Sequence, residues 1–527
     1  MTGELSLVRA PSASQRTTVL VTVLVTVTLV ASIISSLGAP LIPSVASTLH
    51  VSLDSAQWSL TVALLAGAVA APILGRLGDG PFRRQAILGA LGVVFVGSLI
   101  AAVSQSLAPL LLGRAMEGVG LGLAAPAMAA ARDHLELEQG RSVIGLLSVT
   151  AATGAGAGYP ISGLIVQELN LHAAFYFGAI MSAAALIAAA LVIPSSRDTS
   201  RVPLDVKGAA VLVVGLVALL LAIGQGAIWG WGSAATIGLF VVAVLVLSPW
   251  ARDQLRREAP LVALGELRHR AVLTANLAAL ILGVAMYMFL TLVTEFAQLP
   301  SVDGGFGTSV PVAGLCLVPF AVASLAVSRT TRALLRRLGT RTVLVGGSFT
   351  IAAAGVFLAV EHEALWEAFV TMALVGVGFG LTFAAIPGLI AQSVPDHETG
   401  SAMGLYQVIR YVGFSIGSAL TASILAGHIA PGASSPDAQG YAVGLAVAGA
   451  ICALSAVVSA VLARGRPEPA RSGATDAARQ RLILEEAELA SAGLAGFEIE
   501  DAAASARGPA TNGRIPHNAR PPRKGAQ

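Results

Sequence analysis

LLLGRAMEGVGLGL, residues 110–123, places an arginine and a glutamate, Arg114 and Glu117, in the middle of an apolar run. Residues three apart share one face of a helix, so the reading turns on what surrounds that helix. At the rim of a soluble core such a pair is ordinary. Inside a bilayer it marks a site, because a charge near the bilayer centre is costly. Composition decides between the two. The chain is 55% hydrophobic and 12% charged, with a mean hydropathy of +0.79, whereas soluble chains carry about 25% charged residues. A spanning helix needs about 20 mostly apolar residues. Fourteen such runs are predicted, near 18–42, 56–75, 86–105, 108–131, 142–166, 173–194, 207–225, 233–250, 271–298, 308–328, 342–360, 364–391, 401–427 and 440–463. The first is long enough to stay as a spanning helix, and no cleavable signal is evident.

The positive charges test this count. Lys and Arg collect on the cytoplasmic side of membrane proteins. With both ends placed inside, every cation but two falls in an inside segment, and none falls in an outside loop. The two are Arg114 and Arg410. A wrong number of spans would flip the later loops and scatter the arginines. The net charge of +3 therefore reflects topology and gives no reason to expect nucleic acid as a partner. Cys316 and Cys452 lie in apolar runs and read as small core residues.

The opening stretch also recurs. GVGLGL at 118–123 returns as GVGFGL at 376–381, and Gly145, Gly154 and Gly158 match Gly404, Gly413 and Gly417 at a common offset of 259. The fourth and fifth spans thus repeat as the twelfth and thirteenth, in parallel, as transporter halves do. The offset leaves room for two additional spans between two groups of six. The expected organisation is a cytoplasmic N-terminus (1–17), a six-helix bundle (18–194), two extra spans with their loops (195–270), a second bundle (271–463) and a flexible cytoplasmic tail (464–527). The scaffold repeats but the charges do not: Arg114 faces Met372 and Glu117 faces Val375. At about 1.5 Å rise per residue, Glu117 sits roughly 13 Å from the outer end of its helix. Two roles stay open for the pair, a pathway or proton-relay site and a salt bridge that neutralises both charges.

Two further stretches carry chemistry. The loop between the second and third spans reads GRLGDGPFRR, with Gly75, Asp79, Arg83 and Arg84. One acid among arginines in a short loop suits charge-assisted hydrogen bonds to helix ends and a neighbouring helix, and remaking such bonds biases one conformational state against another. The fifth span reads GLLSVTAATGAGAGYPISG, with Gly145, Gly154, Gly158 and Gly163. Glycines spaced by four let a partner helix approach closely, and Pro160 removes one backbone hydrogen bond.

These stretches together resemble the major facilitator superfamily, specifically its fourteen-helix drug:proton antiporters, over about residues 15–463. The 75–84 loop is similar to the family's signature loop, departing at Gly80 and Phe82. RAMEGVG resembles the fourth-helix motif, with Glu117 where glutamine is common. The fifth-span glycines resemble the antiporter motif, with its proline one place late. The first span ends LGAPLIPSVASTLHVS, like the family's first helix, but Ile34 stands where many relatives have aspartate. The resemblance implies an all-α integral membrane protein of two six-helix bundles plus two linker helices. It implies export of small amphipathic compounds in exchange for protons. With no acid in the first span, Glu117 leads for proton coupling. A metabolite or nutrient carrier of the same fold without proton exchange is the alternative.

Other residues fill in the expectation. Arg410 lines the cavity or snorkels to the cytoplasmic face. Glu295 sits at the outer membrane surface or the extracellular mouth. Trp229 and Trp231 read as interfacial anchors. Tyr159, Tyr287 and Phe289 contact substrate or merely pack. EHEALW, 361–366, lacks the second histidine of a zinc site, and no GxxxxGK[ST] loop is present. No metal, cofactor, ATP or catalytic cluster is therefore expected. The partners expected are a small amphipathic molecule, protons and the lipid bilayer of the cell membrane, with the chain a monomer. Residues 476–492 fit a short amphipathic helix or disorder.

Overall fold

A computed structural model describes residues 13–36, 38–196, 205–257, 260–395, 398–429 and 436–462. The tail and its 476–492 stretch lie outside the described residues. All regular structure among those described is helical, as a bilayer requires of a chain whose backbone groups must be satisfied within the segment. The first half contains α1 (Ala13–Ser36), α2 (Gly38–Leu49), α3 (Leu53–Gly78), α4 (Arg83–Val103), α5 (Leu107–Gly118), α6 (Ala124–His134), α7 (Leu137–Glu168) and α8 (Leu171–Val192). The linker pair is α9 (Val206–Trp229) and α10 (Ala234–Gln254). The second half contains α11 (Arg270–Gln298), α12 (Val310–Leu315), α13 (Val318–Val360), α14 (Leu365–Ser393), α15 (Thr399–Ala426) and α16 (Ala438–Leu462).

Among the described residues, 13 helical stretches are long and apolar enough to cross a membrane. One of them, Pro311–Val360, holds two crossings. Its helix carries on well past the expected end at 328 and breaks only at Gly339, whose φ of 78° and ψ of 159° suit a residue without a Cβ. The extension carries Arg329, Arg332, Arg336 and Arg337, so a segment expected as loop is a helical arm. Fourteen crossings result, and the chain is a multi-pass membrane protein.

The fourth crossing departs from a plain helix. Between α5 and α6 the residues Val119–Leu123 wind as a 3₁₀ segment. Its glycines seat it against its neighbours: a Cβ on Gly118 would meet the Ala63 carbonyl of α3, and one on Gly120 would crowd Val94 of α4. In the second half the corresponding hexapeptide, GVGFGL, stays within α14 and makes the matching contacts. Gly376 lies on Phe320 and Gly378 on Ile351, each neighbour displaced by 257 positions from its counterpart. The repeat is thus one of packing as well as letters.

The repeated helix also sets the join between the halves. α7 packs on α1 in its own bundle and on α13 and α14 across the join. α15 packs on α11 at home and on α3 and α6 across. A Cβ on Gly413 would lie 2.5 Å from the Leu280 carbonyl of α11. Gly413→Leu is therefore expected to lower stability by about 1–3 kcal/mol through overpacking. Gly92, with open space around its Cβ position, should accept leucine with little change. Thermal unfolding of the purified variants checks both.

Candidate transport site

The opening residues are brought together, and sealed. Gly97 of α4 and Gly113 of α5 let those helices touch backbone to backbone, which carries Ser98 to Glu117. The Ser98 hydroxyl donates to Glu117 Oε1 at 2.7 Å, and Arg114 Nη1 donates to Glu117 Oε2 at 2.5 Å. Arg114 also donates from Nη1 to the Ile34 carbonyl and from Nε to the Ser59 carbonyl, both at 3.2 Å. Its guanidinium lies 6.0 Å from the Phe175 ring centroid. Both charged side chains are 0% exposed. The first span lacks an acid at Ile34, and the carbonyl of that residue helps hold the arginine instead.

A second cluster joins the halves on the arginine-rich face. Gly75 meets Gly400 and Gly404 at close quarters, which brings the end of α3 onto the start of α15. Asp79 then accepts from the Ser401 amide at 2.8 Å, from the Gly400 amide and from the Ser401 hydroxyl. A helix N-terminus presents unpaired N–H groups and a partial positive charge, so it holds a carboxylate well. Arg132 adds a bond to Thr399 Oγ1 at 2.5 Å and one to the Val394 carbonyl at 3.2 Å. Arg332 reaches Glu138 at 2.7 Å, and Arg336 joins it. The other loop arginines stay in the first half. Arg83 bonds Asp133 and the Gly78 carbonyl, both at 2.5 Å. Arg84 caps the end of α8 through the Ile193 and Ala190 carbonyls at 2.8 and 2.7 Å.

Burial pushes the Asp79 carboxyl up to about 6 against the pull of its hydrogen bonds and of Arg76. A group that holds its proton more tightly when docked stabilises the docked form more as pH falls. The docked arrangement should therefore gain stability as pH drops from about 6 toward the ordinary 3.8, with that gain absent above 6. Asp79→Asn should flatten the dependence of unfolding temperature on pH in that window.

The third feature is a cavity between the bundles, with about 720 Å³ of empty space. Ser32, Leu64, Leu121 and Tyr159 face it from the first half, and Tyr287, Arg410 and Phe414 from the second. A neighbouring pocket of about 660 Å³ shares Leu60, Leu64, Tyr287, Tyr411 and Phe414 and extends to Leu220 and Gln225 of α9. Arg410 faces inward and does not snorkel: it is 2% exposed. Phe289 packs in the core. Glu295 is exposed near the end of α11, and Trp229 and Trp231 are exposed around the α9–α10 turn.

The expected residues thus fall in separate places. Gly145 packs on Ala384 of α14, Gly154 on Ser32 of α1, and Gly158 is buried. Pro160 lies within α7 and abuts Gly314 of α12. Gly163 has only an ordinary contact, with Pro311. Sequence reasoning missed Arg132, counted there as one more inside charge, and Gln225, which brings a linker helix to the pocket. Among the described residues no group of three metal-ligating side chains occurs.

A cavity between two pseudo-repeated helical bundles, with a polar lock at one end, is an architecture built on the parallel repeat known from membrane carriers. The chain belongs to the Major Facilitator Superfamily, whose family model matches residues 24–418. It is 29% identical over 451 residues to the puromycin resistance protein of Streptomyces alboniger, covering 81% of this chain and 88% of that one. It is 27% identical to the tetracenomycin C resistance and export protein of Streptomyces glaucescens, covering 73% and 72%. It spans about half, 55%, of an uncharacterised transporter of this type from Mycobacterium tuberculosis, at 27% identity over 72% of this chain. The fold is that of the human organic anion transporter MFSD10, with a TM-score of 0.58 and 16% identity over 84% of this chain and 99% of that one. It is also that of the proton:xylose symporter XylE, with a TM-score of 0.57 and 13% identity over 85% and 95%.

Proposed function

We propose that the chain exports small amphipathic compounds, drugs or antibiotics, from the cell by alternating access in exchange for protons. The observation that carries this reading is the amphipathic cavity between the bundles, combined with a breakable lock on the arginine-rich face. In this reading that face is cytoplasmic, both termini lie inside, and the membrane is the plasma membrane. The bundles comprise 18–194 and 271–463, with 195–270 as the linker pair. Release of Asp79 from α15 opens the cavity inward, and its return opens it outward. Two relatives with resistance or export in their names support the cargo class.

Glu117 is the proton carrier of this scheme. Its carboxylate is held by Ser98 and Arg114 in the closed arrangement, and protonation frees Arg114 when the helices part. The sealing of that pair, with no acid in the first span, favours a second reading, a metabolite carrier without proton exchange. Inside-out vesicles separate the two. In vesicles with an acidified lumen, amphipathic compounds should release protons through the wild type, and Glu117→Gln should abolish the release. Accumulation of labelled compound with no proton flux would establish the second reading.

A further inference from the structure

The cavity wall holds a buried cation with no salt-bridge partner among the described residues. Of the residues lining the cavity and its side pocket, Arg410 is the one charged at neutral pH. It is 2% exposed, and its Nε and Nη1 have no hydrogen-bond partner. The rings of Phe383, Tyr406, Tyr411 and Phe414 surround the guanidinium, with centroids 5.5–5.8 Å from its carbon. One turn earlier on the same face of α15, Gln407 is 0% exposed, and neither of its amide atoms has a partner.

Buried polar groups are normally bonded, and a buried cation without an acid is costlier still. Aromatic faces offset part of that cost. The Tyr411 hydroxyl is within hydrogen-bond reach of the guanidinium, yet Nε and Nη1 stay unbonded and no carboxylate answers the charge among the described residues. A neutral cargo could offer an oxygen to the N–H groups but would leave the charge unmatched, and a cationic one would add repulsion at low dielectric. An oxyanion would satisfy both the charge and the donors, while the rings stack on a planar body. The rest of the wall, Leu60, Leu64, Leu121, Met286 and Leu290, offers apolar surface.

We propose that Arg410 and Gln407 form an anion-recognising subsite, and that the preferred cargo is a planar amphipath bearing a carboxylate, sulfonate or acidic phenolate. This rests on the reading of the chain as a carrier of amphipathic molecules. The full chain in phosphatidylcholine nanodiscs, with empty discs as baseline, tests it using two fluorescent probes of one skeleton. Anilinonaphthalene sulfonate carries the anion, and phenylnaphthylamine lacks it. The wild type should bind the sulfonate at least about tenfold more tightly than the amine, about 1.4 kcal/mol. Arg410→Gln should lose that preference while keeping its affinity for the amine, which shows that the cavity is intact. Arg410→Lys should keep part of the preference.

No preference in the wild type, or an undiminished one in Arg410→Gln, overturns the anion subsite and leaves the amphipath carrier standing. Binding of neither probe above empty discs overturns both. Added phosphatidylglycerol that displaces the sulfonate from the wild type, but not from Arg410→Gln, assigns the subsite to a lipid headgroup and overturns its assignment to cargo.

Discussion

Arg114→Met should destabilise the folded chain by about 3–5 kcal/mol, because it strands the Glu117 carboxylate in a site that no solvent reaches. Glu117 would keep the Ser98 hydroxyl but lose its cation, and the Ile34 and Ser59 carbonyls would lose their donor. Glu117→Met should cost a similar amount for the mirror reason. The double variant Arg114→Met/Glu117→Met is the informative one. Replacing a whole buried pair with apolar side chains of similar volume is often neutral or stabilising. Its unfolding temperature should therefore return close to wild type. If Glu117 carries the proton, this well-folded double variant should show no proton flux in vesicles. Wild-type proton-driven transport in the double variant would reduce the pair to a packing device. The repeat makes the comparison fair, since the second bundle already packs Met372 and Val375 at the matching places, both buried.

Asp79→Val should release α15 from α3. Hydrogen bonds to a charged group contribute about 1.5–3 kcal/mol each, and Asp79 accepts three from Gly400 and Ser401. Each of the Gly400 and Ser401 amides loses one such bond, so its hydrogen exchange should accelerate by about ten- to a hundredfold or more, since each 1.4 kcal/mol is a factor of ten. Transport should fall with it, because a lock that no longer closes cannot commit the cavity to the outside. Asp79→Asn, which keeps an acceptor at one position and puts an N–H₂ donor at the other, should lie between. Unchanged exchange in Asp79→Val would show that the Gly75–Gly400 contact and the Arg132 bonds hold the face shut unaided.

At Asp79 the residue type, an acid among arginines in a short loop, announced hydrogen bonds to a helix end, and those bonds are present. Which helix end was hidden, because Gly400 and Ser401 lie far away in sequence. Arg132 shows the opposite failure. Its charge counted toward topology, and nothing local distinguished it from Arg141 or Arg201, yet it bonds across the join to Thr399 and Val394. The 3₁₀ winding at Val119–Leu123 was equally hidden, since GVGFGL in the second half remains within an α-helix.

The sequence by itself determined the number of crossings, the internal repeat and the family. Each follows from local constraints: a spanning segment must satisfy its own backbone bonds over about 20 apolar residues, and close helix contacts demand small residues at fixed spacing. The tertiary structure decided which polar groups meet. Arg114 and Arg410 look alike on paper, single arginines within apolar helices. One is matched by a glutamate and two carbonyls and is sealed from the cavity, while the other stands among four aromatic rings at the cavity wall. That difference comes from neighbours on other helices. The cost of burying a charge depends on those neighbours, and only the packed chain supplies them.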